Sequence, residues 1–295
     1  MIEICDVGPR DGLQNDATQT TPEMRAELCA RLAECGLPSV EAVSFVNEKR
    51  VPRMAGAERV VALLPKNAKT RFNGLVLNER GYDRAVATDL PDVHYAFPVT
   101  EAFNARNQGS TVAGSIALAK RLIERARADG RGISIGFAVA FGCPFEGAVD
   151  PQRVLAIAHE IAASKPDGIS FADTIGVGVP RQVRTLVSGM RGTGIPIGAH
   201  FHDTRNTAVA NALAAIEAGA TTLDSSVGGV GGCPFAPAAT GNVATEDLVY
   251  MLQGMGYETG IDIERLISTA KWLETQLGHP IPSALKRAGP FKLSA

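Results

Sequence analysis

At 295 residues the chain is long for an ordinary single core but fits an α/β barrel, which holds roughly 250 residues or more in one domain. Hydrophobic residues at 45%, charged residues at 20% and 31 glycines exclude disorder and indicate a globular protein with many tight turns. A net charge of −2 with no long Lys/Arg run excludes a general field for nucleic acid, and no apolar run approaches the roughly 18 residues of a membrane span, so a cytoplasmic protein without membrane contact is expected. Cys5, Cys29, Cys35, Cys143 and Cys233 are odd in number and form no CxxC pair, so neither a disulfide framework nor a structural zinc site is indicated.

In chain order, β-like runs alternate with helical patterns. Strands are predicted at residues 2–6, 40–43, 71–77, 93–97, 133–141, 168–172, 197–201 and 222–225. Helices are predicted between and after them at 23–35, 58–64, 82–87, 116–128, 151–163, 181–190, 207–218 and 245–254. In the first helix Leu28, Leu32 and Cys35 recur at helical spacing, Thr21-Pro22 supplies a cap and a first-turn proline, and Gly36 ends the run. Eight βα units point to a parallel sheet closed as a (β/α)8 TIM barrel, with a doubly wound sheet as the competing arrangement. A further helix at 263–277 follows, and no linker composition interrupts the chain. One catalytic domain over 1–295 is therefore expected, with 259–295 as a C-terminal helical extension.

Catalytic groups of such barrels sit at the C-terminal strand ends. Four of these ends carry ionisable residues: Arg10-Asp11 after the first strand, Glu41 in the second, Asp173 after the sixth, and His200 and His202 at the seventh. Because side chains alternate along a strand, His200 and His202 share one face, which is ligand geometry, although a structural histidine competes. Asp11 and Asn242 lie at the matching rim and add oxygen donors. This set suits Mg2+ or Mn2+ better than structural zinc. Each residue also has a structural reading: Arg10 with Glu41 as a rim ion pair, Asp173-Thr174 as a helix cap, and Asn242 as the cap of the helix near 245. The loop Gly228-Gly229-Val230-Gly231-Gly232-Cys233-Pro234 permits close backbone approach to a ligand, and Cys233 reads as a reactive thiol or a small buried hydrophobe. Gly176-Val177-Gly178 lacks the rest of a dinucleotide fingerprint.

Several stretches taken together are more specific: Val7-Gly8-Pro9-Arg10-Asp11-Gly12-Leu13-Gln14-Asn15, Ser44-Phe45-Val46, Gly142-Cys143-Pro144-Phe145-Glu146-Gly147, Asp173-Thr174-Ile175-Gly176, His200-Phe201-His202-Asp203-Thr204, the loop 228–234, and Gly241-Asn242-Val243-Ala244-Thr245-Glu246-Asp247. On these the chain resembles, over almost its whole length, the hydroxymethylglutaryl-CoA lyase family of metal-dependent lyases, which is related to isopropylmalate and homocitrate synthases. The resemblance implies a divalent cation, Mg2+ or Mn2+, held by Asp11, His200, His202 and Asn242. It implies catalytic roles for Arg10, Glu41, Asp173, His200 and Cys233. Gln14, Arg205, Gly231 and Gly232 are the expected substrate contacts. The implied reaction cleaves 3-hydroxy-3-methylglutaryl-CoA, or a close 3-hydroxyacyl-CoA, to acetyl-CoA and a ketoacid. The expected partner is thus a small acyl-CoA, and the expected assembly a homo-oligomer.

The chain departs from the family where Phe171-Ala172 replaces the common Leu-Gly before Asp173, and where Arg205-Asn206 replaces Tyr-Gly or Gly-Gly after His-x-His-Asp-Thr. Both changes are expected on the active-site rim, where they would alter the acyl pocket rather than the reaction. Three readings compete with the lyase: an acyl-CoA/2-ketoacid condensing enzyme, a CoA-independent ketoacid aldolase, and a noncatalytic metal- or ligand-binding homologue. The Gly-Gly-Cys-Pro loop favours the lyase.

Overall fold

The computed structural model describes residues 2–233 and 236–291, without the side chains of 233 and 236–240. Eight strands, β1 (Glu3–Asp6), β2 (Ser39–Ser44), β3 (Arg71–Val76), β4 (Asp92–Pro98), β5 (Gly132–Ala138), β6 (Gly168–Asp173), β7 (Ile197–Phe201) and β8 (Thr222–Ser225), pair in chain order. Every pairing is parallel, and β8 returns to β1 with Glu3 opposite Thr222 and Asp6 opposite Ser225. Closure removes the sheet edges, so the doubly wound alternative is excluded and the architecture is a TIM barrel.

The outer layer consists of α1 (Pro22–Glu34), α2 (Ala57–Leu63), α3 (Glu79–Val86), α4 (Glu101–Gln108), α5 (Val112–Ala128), α6 (Pro151–Ala162), α7 (Pro180–Gly189), α8 (Ala208–Ala218) and α9 (Thr245–Gly254). Short polar side chains start several of them. Thr21 accepts from the Met24 amide at 3.1 Å, Asn78 from Gly81 at 2.8 Å and Thr111 from Gly114 at 3.0 Å. α10 (Ile263–Leu277) and α11 (Ala284–Ala288) follow the barrel.

Four differences from the sequence expectation have local causes. β5 stops at Ala138 rather than running to 141, because Val139 adopts a left-handed φ of 54° with its amide donated to Thr174 Oγ1. α4 was not expected, since Glu101–Gln108 is polar and shows no apolar period. α5 begins at Val112, ahead of its apolar stripe, where Thr111 caps it. A short hairpin, β9 (Gly232–Cys233) with β10 (Ala236–Thr240), occupies the end of the glycine loop.

The strand alternation decides what fills the barrel. His94, Ala96 and Pro98 of β4, Ser134, Gly136 and Ala138 of β5, and Ser170 and Ala172 of β6 line cavities along the axis. Tyr95, Phe97, Phe137 and Phe171 line neither cavity and are fully buried. Their rings run as a ladder across three strands, with centroids 5.7, 5.5 and 5.8 Å apart. The Tyr95 hydroxyl donates to Gln108 of α4, which places this ladder between sheet and helices. Large side chains therefore build the outer shell, and small or polar ones leave the axis open.

Candidate active site

After β1 the chain turns through one wide helical turn, Gly8–Gly12, that carries Arg10 and Asp11. Gly12 has to be glycine there: a Cβ would stand 2.7 Å from Val230 Cγ2 and 2.8 Å from Ser226 Oγ. The base of this turn is held by Asp6, which accepts from the Gly8 amide at 2.8 Å and from Thr245 Oγ1 at 2.7 Å. Glu246 does the same for the glycine loop, taking the Gly228 amide on both oxygens at 3.1 and 3.0 Å. Burial pushes both carboxyls up to about 7. The folded chain thus keeps protons that the unfolded chain would release, so their contribution to stability is lost as pH rises through about 7.

Four side chains converge at the rim of β1, β7 and the segment before α9. Asp11 Oδ2 lies 3.5 Å from His202 Nε2, 4.0 Å from His200 Nε2 and 3.0 Å from Asn242 Nδ2. The ligand atoms of Asp11, His200 and His202 all lie within 4.8 Å of one another, and both imidazoles are buried. Asn242 reaches this place because His202 pairs with it across an isolated antiparallel bridge. It does not cap α9, whose N-cap is Ala244. The set fits a divalent cation: Asn242 Oδ1 and His202 Nδ1 are buried and have no hydrogen-bond partner. A buried acceptor without a donor is costly unless something satisfies it, and a cation satisfies Oδ1. Burial alone would raise the Asp11 carboxyl, but Arg10 and the two imidazoles outweigh it and hold the group well below the usual carboxylate range.

Arg10 bridges this cluster to β2. Its Nε is paired with Glu41 Oε2 and its Nη1 with Asp11 Oδ1, the latter at 2.7 Å. Burial works against the charge, but Glu41 and Asp11 raise the guanidinium pKa further, so it stays a fixed cation. The ion-pair reading of Arg10 and Glu41 is correct as far as it goes, yet Arg10 also lines a cavity of about 760 Å³ together with Asp11, His200 and His202.

Other expected residues fall differently. Gln14 lines the cavity with a buried, unpartnered Oε1. Gly232 also lines it, and its carbonyl accepts from Asn15. At Gly231 a Cβ would meet Asn242 Nδ2 at 2.5 Å, so this glycine seats the ligand side chain. Asp173 is buried and makes no hydrogen bond to Arg10 or the imidazoles. Its carboxylate holds the following turn by accepting from Val177 and Gly178 at 2.9 and 2.8 Å. The Cys233 thiol lies outside the described side chains. Arg205 turns away from the cavity and donates to the carbonyls of Ile175 and Gly176 at 3.1 and 2.8 Å. Phe171 belongs to the outer ladder, so of the two departures before Asp173 only Ala172 lines the cavity.

Asp224 and His94 escaped the sequence reading. Asp224 stands opposite His200 in the β7–β8 register and takes its Nδ1 at 3.2 Å, which leaves Nε2 aimed at Asp11. Burial opposes the charged imidazole, but Asp224 and Asp11 outweigh it and raise the His200 pKa. His94 shares the cavity wall, with Nδ1 at 2.8 Å from Ser134 Oγ. Its pKa is lowered chiefly by burial, which favours the neutral ring.

A parallel eightfold barrel whose C-terminal rim gathers two imidazoles, a carboxylate, an amide and a paired arginine has the scaffold and the candidate cation site of a metal-dependent barrel enzyme. The HMGL-like family model matches residues 1–273, and the chain belongs to that family. It is similar to the (R)-citramalyl-CoA lyase of Chloroflexus aurantiacus, 41% identical over 98% of this chain and 95% of that one. The hydroxymethylglutaryl-CoA lyase of Pseudomonas mevalonii is 37% identical over 94% and 93% of the two chains. Among solved structures, an HMG-CoA lyase from Acinetobacter baumannii in complex with coenzyme A and 3-methylmalate superposes with a TM-score of 0.94 at 34% identity, covering 100% of this chain and 97% of the other. This protein is an oxo-acid lyase of that family.

Proposed function

We propose that the protein cleaves the C2–C3 bond of a 3-hydroxy-3-methyl acyl-CoA carrying a free carboxylate, releasing acetyl-CoA and a ketoacid. The observation that carries this reading is the contact of Arg10 with both Glu41 and the ligand cluster at the floor of the cavity. A divalent cation held by Asp11, His200, His202 and Asn242 would lower the pKa of the substrate's tertiary hydroxyl. His200 can accept that proton at Nε2 when that nitrogen is off the cation, with Asp224 holding Nδ1 and supporting the charged ring. Bond breaking leaves an electron pair on C2 that delocalises onto the thioester oxygen. Arg10 supplies a fixed, buried cation for that oxygen, and Glu41 keeps the guanidinium from swinging away. Cys233 on the glycine loop is assigned to protonate C2, completing acetyl-CoA. Gln14, Gly231 and Gly232 line or shape the substrate pocket, whereas Arg205 stabilises the turn after β6.

Hydroxymethylglutaryl-CoA and citramalyl-CoA differ by one methylene between the carbinol and the free carboxylate, and their ketoacid products are acetoacetate and pyruvate. A difference of one methylene is worth roughly 1–3 kcal/mol in a pocket, so one of the two should dominate by kcat/KM. Greater identity to the citramalyl-CoA lyase supports the shorter thioester. The test is an acetyl-CoA release assay with both substrates under Mg2+ and under Mn2+. Expected is turnover that favours citramalyl-CoA. Cleavage of neither thioester, together with release of pyruvate from a CoA-free hydroxyacid, would contradict the reading.

A further inference from the structure

His94 stands where the two cavities of the barrel axis meet, and the cleavage step does not use it. Among the described residues only His94, Ser170 and Asp224 line both the cavity of about 760 Å³ and the one of about 300 Å³, and His94 is the largest of the three. Its ring is fixed from two sides. In the β4–β5 register His94 stands opposite Ser134, and Ala96 opposite Gly136. Nδ1 lies 2.8 Å from Ser134 Oγ, and the other edge of the ring leans over Gly136, where a Cβ would stand 2.6 Å from Nε2 and 2.9 Å from Cε1. Gly136 is thus the residue that makes room for the imidazole. Among the described residues Nε2 forms no hydrogen bond. Burial favours the neutral ring, and a Ser134 hydroxyl that donates to Nδ1 leaves the ring proton on Nε2 as a donor. This ring lines the same cavity as Asp11, His200 and His202, and Glu41, Asp224, Arg10 and His200 are near enough to act on its charge.

We propose that His94 determines which acyl chain the site takes: its Nε2–H binds the free carboxylate, and its ring closes the pocket at the depth of a chain whose carboxylate sits directly on the carbinol carbon. With the hydroxyl on the cation and the thioester oxygen at Arg10, the carbinol carbon has two arms left, a methyl group and the carboxylate arm. A ring N–H without a partner is satisfied by the carboxylate and not by the methyl group. One further methylene drives the carboxylate into the ring. Without the ring the upper cavity opens into the lower one, and the longer chain fits. The proposal rests on the thioester reading for its choice of acyl chains, and its deciding measurement is binding without turnover.

The experiment titrates the whole chain by calorimetry, in a fixed excess of Mg2+, with citramalate and with 3-hydroxy-3-methylglutarate, the free acids of the two acyl chains. In His94→Ala the ratio of the two affinities, shorter acid over longer, should fall roughly tenfold or more, the scale on which a pocket tells one methylene. His94→Gln keeps an N–H near the place of Nε2 and should recover most of the ratio. Ser134→Ala keeps the ring but frees Nδ1, and should shift the ratio the same way by less, which holds the test open should His94→Ala fold poorly. With the thioesters themselves, kcat/KM of His94→Ala should move toward the longer chain by a similar factor, mostly through KM, because the carboxylate is held alike before and during bond breaking. A purely structural role would lower both affinities together and leave their ratio as it was. A parent that cleaves neither thioester, with an affinity ratio that still falls in His94→Ala, would leave the recognition standing while the proposed reaction fell. An affinity ratio unchanged in both His94→Ala and Ser134→Ala would overturn the proposal.

Discussion

On β4, β5 and β6 the residues facing the helices are Tyr95, Phe97, Phe137 and Phe171, whereas their neighbours facing the axis are His94, Ala96, Ser134, Gly136 and Ser170. TIM barrels are usually filled by bulky branched side chains along the axis. Here the bulk has moved outward, and the axis holds small and polar groups around a cavity of about 300 Å³ below the site and one of about 760 Å³ above it. The division teaches that stability and chemistry are carried by opposite faces of the same strands. Substitutions on the two faces should then separate folding from turnover.

The largest effect is expected on the outer face. Phe137→Ala empties a fully buried site between two aromatic neighbours and should cost about 3–5 kcal/mol of stability, measured by denaturant unfolding. The kcat of the protein that remains folded should change little. A large loss of kcat with unchanged unfolding would break the division. Next comes Arg10→Gln on the axis side, which removes the fixed cation beside the ligand cluster and should lower kcat roughly 10²-fold or more, on the scale of a lost preorganised donor. Its unfolding midpoint should fall far less than that of Phe137→Ala. A fully active variant would reduce Arg10 to a rim ion pair.

A smaller effect is expected from Asp224→Asn. The amide can still meet His200 Nδ1 but no longer supports the charged ring, so activity or cation affinity should fall about 10-fold. A loss appearing in both KM and the unfolding midpoint, with kcat intact, would make Asp224 a structural polar group and not a positioning residue.

How much of this was legible follows from the same alternation. The period-two runs and the capped helices specify eight βα units, and His200 and His202 share a face whatever the neighbouring strands do. What crosses between strands is a different matter. Asp224 sits in Thr222–Ser225, a segment with no motif, and acquires its role only because the β7–β8 register sets it opposite His200. Phe171 and Ala172 are both expected on the rim, but neighbouring strand side chains point to opposite faces, so Ala172 lines the cavity and Phe171 turns to the outer layer. Arg205 was expected near substrate because it follows the ligand histidines, yet two carbonyls of the turn after β6 claim its guanidinium.

The central claim is that the axis-facing rim of β1 and β7, joined by Asn242, forms a single divalent-cation site. Titration of the metal-free chain with Mn2+, followed by electron paramagnetic resonance, tests it without any substrate. Expected is one saturable site per chain in the parent, lost in His202→Ala and in Asp11→Ala, with the circular dichroism of both variants unchanged. Equal Mn2+ binding by the parent and both variants would contradict it.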